Sequence, residues 1–231
     1  MSPLLSVKNL TVAVGAKELV NNVSFDVPRG QIVAIAGASG SGKTTIGLSI
    51  LRLLSPVLRI TQGSIFFEDT DLLRLNAREM QSCRGARIGM VFQEPLSAFD
   101  PLFTVGQQCD EVLASHTQLS KPDRYKKVLD TFIEAGLPDP KQAYKSFPHQ
   151  LSGGMRQRAM VAQAIVCGPS LIIADEPTSS LDVTLQVKIM ELFARLRKKN
   201  ISILLISHDL EMIAHLADET IVLQRSLGVS Q

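Results

Sequence analysis

A glycine-rich loop ending in a lysine, and a pair of carboxylates closing an apolar run, are the residues of this chain whose types and spacing could do chemistry. The loop reads Gly37, Ala38, Ser39, Gly40, Ser41, Gly42, Lys43, Thr44, with Thr45 following, and it matches G-x-x-x-x-G-K-[ST] at every specified position. Glycines let the backbone curl until successive N–H groups point at phosphate oxygens, and a helix beginning there adds the positive end of its dipole. Lys43 then reaches the terminal phosphates as a point charge, and Thr44 offers its hydroxyl to Mg2+. The plain alternative is a glycine-rich turn with a solvated lysine. A strand before the loop and a helix after it, both read below, favour the phosphate loop.

The apolar run Leu171, Ile172, Ile173, Ala174 ends in Asp175 and Glu176. That arrangement sets one acid beside a metal ion and the next beside an attacking water, which Glu176 would position or deprotonate. A solvated strand end is the alternative, and the upstream loop weighs against it. Leu151, Ser152, Gly153, Gly154 and Met155 open a predicted helix, with Ser152 at the cap and two glycines that admit a ligand close to the backbone. Taken by itself this is an ordinary helix cap. His208 follows a buried run that is expected to pair beside the Asp175 strand, near the terminal phosphate. Gln93 is by itself a loop glutamine, plausible as a contact to Mg2+ and water. His116, His149 and His215 have no such context and read as surface or packing residues.

These groups must be held by elements that the pattern also predicts. Residues 4–14 and 19–27 are rich in β-branched side chains and partly alternate around Gly15, so they read as two antiparallel strands. Residues 31–36 form a short apolar strand feeding the glycine loop, and a helix is expected over about 42–54. Strands are expected at 63–67 and 87–92. From 97 to 167 helical patterns take over, at 104–115, 123–135 and 153–167, punctuated by Pro138, Pro140 and Pro148. Strands at 171–174, 201–207 and 220–224 then alternate with helices at 184–199 and 210–217, which implies a parallel sheet.

Composition narrows the function classes. Among 231 residues, 24 Lys+Arg against 22 Asp+Glu leave a formal charge of +2, so no nucleic-acid coat or polybasic membrane binder is indicated. Aromatic residues make up 5%, with no Trp and 2 Tyr, which disfavours a base-stacking surface. Hydrophobic residues at 45% suit a folded globular chain. Cys83, Cys109 and Cys167 lie far apart without C-x-x-C spacing, so neither zinc nor a disulfide framework is suggested. No apolar run approaches the ~18–20 residues that cross a bilayer, and the N-terminus lacks the basic start of a secretory signal.

Taken together the motifs resemble the nucleotide-binding subunit of an ATP-binding cassette (ABC) transporter. Residues 37–44 are similar to its Walker A loop, 151–155 to its signature, and Asp175-Glu176 to the end of Walker B. Val91, Phe92, Gln93, Glu94 and Pro95 resemble the Q-loop; Ser179, Ser180, Leu181 and Asp182 the D-loop; Ser207, His208 and Asp209 the switch-histidine loop. Within the family, 147–158 and 174–183 resemble the subfamily serving peptide, dipeptide and nickel importers. Members of that subfamily run on into a C-terminal extension, whereas this chain stops at Gln231 after the last expected strand. A truncated product and an absent extension are the two expectations.

The resemblance implies an α/β fold: a P-loop NTPase core (1–96 and 168–231) with an N-terminal antiparallel sheet and an inserted helical subdomain (97–167). It implies ATP and Mg2+, the metal meeting Thr44, Gln93 and Asp175, with Glu176, His208, Gln93 and Lys43 serving hydrolysis. Two cassettes, identical or paralogous, would face head to tail, the signature of each meeting the ATP of the other. Integral membrane permease subunits, an extracytoplasmic substrate-binding protein and a peripheral position on the cytoplasmic side of the cell membrane are implied too, and no nucleic acid. The rival is a soluble ABC ATPase of DNA repair or translation, but those carry long coiled-coil arms or two cassettes in one chain. A nucleotide switch without turnover would lack the base, and Glu176 is present.

One departure from the family yields a prediction. Its adenine-stacking aromatic corresponds by position to Val14, and no aromatic lies within residues 4–22. A stacking ring contributes on the order of 1 kcal/mol, so adenine preference here should be shallow. Val14→Tyr should tighten ATP binding by up to roughly tenfold, equivalent to about 1.4 kcal/mol, with GTP gaining as well. Calorimetric titration of both nucleotides checks this; unchanged affinities in a folded variant would mean that Val14 does not meet the base.

Overall fold

The uninterrupted apolar runs of the sequence are buried parallel strands, as a sheet covered on both faces requires. The computed structural model describes residues 2–179 and 181–223. In chain order its elements are β1 (Leu5–Val14), β2 (Lys17–Val27), β3 (Ile32–Gly37), α1 (Lys43–Ile50), β4 (Leu58–Phe67), β5 (Thr70–Asp71), α2 (Ala77–Cys83), β6 (Ile88–Val91), α3 (Pro95–Ala98) and α4 (Val105–His116). There follow α5 (Lys121–Glu134), α6 (Pro140–Lys145), α7 (Gly153–Ile165), β7 (Leu171–Asp175), α8 (Val183–Lys198), β8 (Ser202–Ile206), α9 (Leu210–Leu216) and β9 (Glu219–Leu223). The described residues fall into two units, one formed by the segments up to Gln81 and from Arg197 onward, the other by Ser82–Leu196.

In the first unit β3 lies between β8 and β9, parallel to both, with Ile35 opposite Ile206 on one side and Ile221 on the other. Ile32 to Ala36 and Ile203 to Ile206 are fully buried, and each large apolar side chain so placed contributes about 1.5–3 kcal/mol relative to exposure. Helices α1 and α9 pack on β3 through buried faces that include Ile46, Ile50, Met212 and Ile213. The register is pinned at the start of β3, where the Ile32 amide donates to the Asp218 carboxylate at 2.9 Å and the Asp218 amide returns to the Ile32 carbonyl at 2.7 Å.

The same unit holds an antiparallel sheet in the order β2-β1-β4-β5. Its central strand is bulged at Asn9, which adopts a left-handed φ of 50°. The bulge presses against Gly63, where a Cβ would lie 2.7 Å from the Lys8 carbonyl oxygen and from the Leu10 Cα. Helix α1 stops at Ile50, short of the expected end near 54. Arg52 turns left-handed, its amide donates to the Ser49 carbonyl at 3.0 Å and the Leu53 amide to that of Leu48 at 2.8 Å. That is a Schellman stop made without glycine, and Arg52 and Leu53 carry no sequence signal for it because both are good helix formers.

In the second unit β6 and β7 pair in parallel, from Ile88 opposite Leu171 to Val91 opposite Ala174. Helix α7 packs on β6, while α4, α5 and α6 pack on one another and α4 and α5 also meet α7. The Arg124 guanidinium holds both carboxylate oxygens of Asp110, at 2.9 and 3.2 Å, and so ties α5 to α4. The stretch 97–167 read as an inserted lobe lies inside this unit, together with β6, β7 and most of α8. Pro140, taken from the sequence as a break, instead opens α6, with Asp139 capping the Gln142 amide at 2.9 Å. A first-turn residue needs no N–H partner, which is why proline is at home there. Helices α2 and α3 and the short β5 have no counterpart in the sequence pattern.

Gly89 on β6 has no room for a side chain, because a Cβ would run into the backbone carbonyl oxygen of Ala164 on α7. Gly89→Ala should therefore destabilise the protein by about 2 kcal/mol through overpacking, lowering Tm by roughly 4–8 °C. Thermal unfolding followed by circular dichroism measures this, and a wild-type melting temperature would contradict the packing described.

Candidate functional site

The glycine loop of the first unit links the end of β3 to the start of α1, with Gly42 at the helix cap and a left-handed φ of 92°. The glycines do more than supply torsional freedom. A Cβ on Gly42 would lie 2.8 Å from both the Leu19 carbonyl oxygen and Val20 Cγ2, and one on Gly37 would lie 2.8 Å from the Leu223 carbonyl oxygen and Ser41 Oγ. The loop is thus squeezed between β2 and β9, and its curl is imposed by backbone on both sides. Lys43 is only 7% exposed and arches back, its Nζ donating to the carbonyls of Gly37 at 2.8 Å and Ala38 at 3.0 Å. Ser41 Oγ is buried without a hydrogen-bond partner in this structure. Ala38, Ser39, Gly40 and Thr44 are exposed and Thr45 is half-buried, so the open side of the loop faces solvent, where a polyanion could enter.

His208 belongs to the same unit. The Ser207 amide donates to the Ile35 carbonyl at 3.2 Å, continuing the β8 pairing past the strand, so the chain leaves toward His208 at the edge where β3 ends. His208 is exposed, and Asp209 beside it caps α9 through the Met212 amide at 3.0 Å. Val14 is the half-buried last residue of β1, opposite Lys17 and Leu58, in the hairpin whose second strand lies against Gly42.

In the second unit the parallel pairing of β6 and β7 brings Gln93 and the Asp175-Glu176 pair out at one sheet edge. Asp175 is 2% and Glu176 8% exposed, while Gln93 is open to solvent. Glu176 has a φ of 46°, a left-handed conformation that costs a non-glycine residue on the order of 1–3 kcal/mol and persists only where its surroundings impose it. The Ser179 amide and hydroxyl both donate to the Glu176 carbonyl, at 3.3 and 3.2 Å. Asp182 caps α8 through the Leu185 amide at 2.9 Å, and the Leu181 amide bonds the Thr178 carbonyl at 3.1 Å. Ser180 lies outside the described residues.

Ser152 caps α7 as expected, accepting from the Met155 amide at 3.3 Å. Its two glycines differ in purpose. Gly153 has open space where a Cβ would stand, whereas Gly154 lies against the Leu185 side chain on α8. Leu151 is buried, and its carbonyl accepts from Arg156 at 2.7 Å. Arg158 donates to the carbonyls of Gly154 at 3.1 Å and Gly136 at 2.7 Å, and burial lowers its pKa from the ordinary arginine value.

Sequence reading missed Gln157 and Gln186, whose side chains reach the turn after Glu176. A signal existed for the first: Gln157 falls one turn from Gly154 and Val161 on the buried face of α7, a polar residue in an apolar register. Of the remaining histidines, His149 stacks on Phe147 at 5.7 Å and His215 Nδ1 sits 2.7 Å from the Glu211 carbonyl oxygen. Among the described residues no group of three or more His, Cys, Asp or Glu could hold a metal. Burial, and next the Asp110 carboxylate, push the Cys109 thiol far up, so it stays neutral. The first unit therefore carries the loop, Val14 and His208, and the second carries Gln93, the capped glycines, the carboxylates and Ser179, Leu181 and Asp182.

Residues 20–179 match the family model for ABC transporters. The chain is 45% identical over 229 residues to a dipeptide transport ATP-binding protein of Bacillus subtilis (strain 168), covering 96% of this chain and 68% of that one. An oligopeptide transport ATP-binding protein of the same organism is 41% identical over 226 residues, covering 95% and 63%. In structure the chain is similar to the ATP-binding cassette MJ0796, solved as a dimer in a post-hydrolysis state bound to ADP and Pi, with a TM-score of 0.85, 29% identity, and coverage of 96% and 94%. Among the described residues no helix is long and apolar enough to cross a membrane. A squeezed phosphate loop, a buried carboxylate pair at a strand end and a likeness running through both units have one reading: the chain belongs to the ABC transporter family, as an ATPase subunit that powers transport.

Proposed function

We propose that this subunit drives the import of peptides, hydrolysing ATP on the cytoplasmic face of the membrane as the peripheral partner of integral membrane permease subunits and an extracytoplasmic substrate-binding protein. The observation that carries the cargo class is the 45% identity, over 96% of the chain, to a dipeptide transport ATP-binding protein. That likeness favours peptides over the nickel complexes that the subfamily pattern also allows.

On this reading residues 37–45 wrap the triphosphate with backbone N–H groups, and Lys43 exchanges its two loop carbonyls for phosphate oxygens. Val14 lies under the base. Thr44, Asp175 and Gln93 would offer Mg2+ hydroxyl, carboxylate and amide oxygens, a hard donor set that suits it, and the ion would supply neutralisation of the phosphate charge when bound. Glu176 takes a proton from the attacking water while the water oxygen bonds the γ-phosphorus and the bond from that phosphorus to the ADP oxygen breaks. His208 and Gln93 orient that water and the phosphate. A second cassette, identical or paralogous, supplies Leu151 to Met155 to each ATP, with Ser152 and the amides of Gly153 and Gly154 meeting the γ-phosphate at the start of α7. Ser179 to Asp182 carry the step from base to partner, and 97–167 acts as the helical subdomain.

Glu176→Gln should keep ATP binding and lose most turnover, because the amide cannot accept the proton. An ATP-bound dimer should then persist in size-exclusion chromatography, and cells relying on the variant should stop taking up labelled dipeptides. Hydrolysis at the wild-type rate would remove Glu176 from the mechanism, and unimpaired uptake would remove peptides as cargo.

Ser152→Arg should abolish hydrolysis while leaving the nucleotide affinity of the isolated subunit nearly unchanged. Mixed with Lys43→Ala it should recover part of the activity, since such a dimer rebuilds one intact site beside one doubly broken site. Collapse of ATP binding in the isolated Ser152→Arg subunit would mean that the signature serves its own nucleotide.

A further inference from the structure

Glu176 is held in its left-handed conformation by the turn that follows it, and that turn is gripped from two helices. The carbonyl of Glu176 is taken by Ser179, through amide and hydroxyl. The carbonyl of Pro177 accepts from Gln157 Nε2 at 2.6 Å. The carbonyl of Thr178 accepts from the Leu181 amide at 3.1 Å and from Gln186 Nε2 at 3.3 Å, and the same Nε2 also donates to the Leu181 carbonyl at 3.3 Å. Ser179 and Leu181 are local donors that any such turn would use. Gln157 and Gln186 come from α7 and α8.

Gln157 is the more telling of the two. It is 1% exposed, so its amide has left water for this position, and a buried polar side chain is retained only where it is matched. Proline has no N–H, so the carbonyl that Gln157 grips is the one backbone hydrogen-bonding group Pro177 possesses. One turn earlier on α7, Gly154 lies against Leu185 of α8, the residue immediately before Gln186. Within one unit, α7 is therefore fixed to the turn behind Glu176 by a hydrogen bond, and its start to α8 by a close apolar contact.

We infer that Gln157 is a positioning residue for Glu176: it sets the register between the helix that begins with the signature and the turn that aims the carboxylate, so that a shift of α7 re-aims the base. The inference rests on the reading of Glu176 as the base and of residues 151–155 as the signature. Gln157 touches no reacting atom and acts through the backbone of Pro177.

Two near-isosteric substitutions separate this role from simple packing. In Gln157→Met the stem is kept and the donor is lost. In Gln157→Glu the introduced carboxyl is an acceptor when ionised, repelling the Pro177 carbonyl, and a donor when protonated. The full chain is assayed for ATPase in whatever assembly sustains wild-type turnover, with thermal melts and ATP affinity measured alongside. Both variants should lose roughly tenfold or more in kcat while ATP affinity stays within about twofold. The deficit of Gln157→Glu relative to wild type should shrink as pH falls from about 8.5 to about 6, since burial raises the carboxyl pKa into that range. The deficit of Gln157→Met should not move with pH. Adding Gln157→Glu to Glu176→Gln should cost little beyond Glu176→Gln alone.

Folded variants with wild-type kcat, or a parallel loss of kcat and ATP affinity, would overturn the inference. So would a pH-independent deficit in Gln157→Glu. Should Gln157→Glu fail to fold, the Gln157→Met kinetics and the double variant Gln157→Met with Glu176→Gln decide the matter alone. Failure of the underlying reading looks different: Glu176→Gln itself would then hydrolyse ATP normally, whatever the Gln157 variants do.

Discussion

Everything chemical in the first unit depends on how closely the backbone of β2 approaches Gly42. The Leu19 carbonyl oxygen would stand 2.8 Å from any Cβ placed there, so the loop after β3 is held from outside and does not merely happen to curl. That constraint fixes where α1 begins, and with it the direction of the first helical N–H groups and the root of the Lys43 side chain. It is transmitted through β3, which cannot slide because β8 and β9 grip both edges and Asp218 pins its first residue. A polyanion is bound by backbone dipoles only if those dipoles are fixed before it arrives, because reorganising them would consume the interaction energy. Lys43, folded onto the carbonyls of Gly37 and Ala38, is already held at the mouth of the loop.

The second unit solves a different problem, that of holding a carboxylate in a conformation its residue type does not favour. Asp175 and Glu176 are both buried at the end of their strand, and Glu176 adds a left-handed backbone. Strain of that kind relaxes unless the next residues cannot move. Here successive carbonyls after β7 are each bonded, by Ser179, Gln157, Leu181 and Gln186. Asp182 serves the same end by starting α8 at a fixed place. Ser179, Leu181 and Asp182 thus have an ordinary structural reason to exist, as turn and cap, beside the role proposed for them.

Much of this was legible in the residues themselves. The glycine loop, the Asp175-Glu176 strand end and the Ser152 cap each depend on neighbours within a few positions, so their spacing carries the whole signal. The buried strands were equally plain, since β3, β7 and β8 are unbroken apolar runs. Element ends were less so. In the sequence the helix after the loop reads too long because Arg52 and Leu53 favour helix intrinsically, and only the capping bonds to Leu48 and Ser49 show where it stops. Pro140 is ambiguous in the sequence because proline both ends helices and begins them, and the choice turns on the Asp139 cap.

The sequence by itself determined the chemistry available: a glycine loop of the phosphate-loop pattern, a carboxylate pair and a family resemblance that the comparisons bear out. Only the tertiary structure decided how those groups are held. It separated Gly153, which has space around it, from Gly154, which has Leu185 against it. It revealed Glu176 as a left-handed residue and Gln157 as the donor to the turn behind it. Gly42 and Leu19, or Gln157 and Pro177, lie far apart along the chain, and a contact between distant residues leaves no spacing pattern in a single sequence. It exists only once the sheets and helices have packed, because close approach is a property of where backbones meet and not of what either residue prefers.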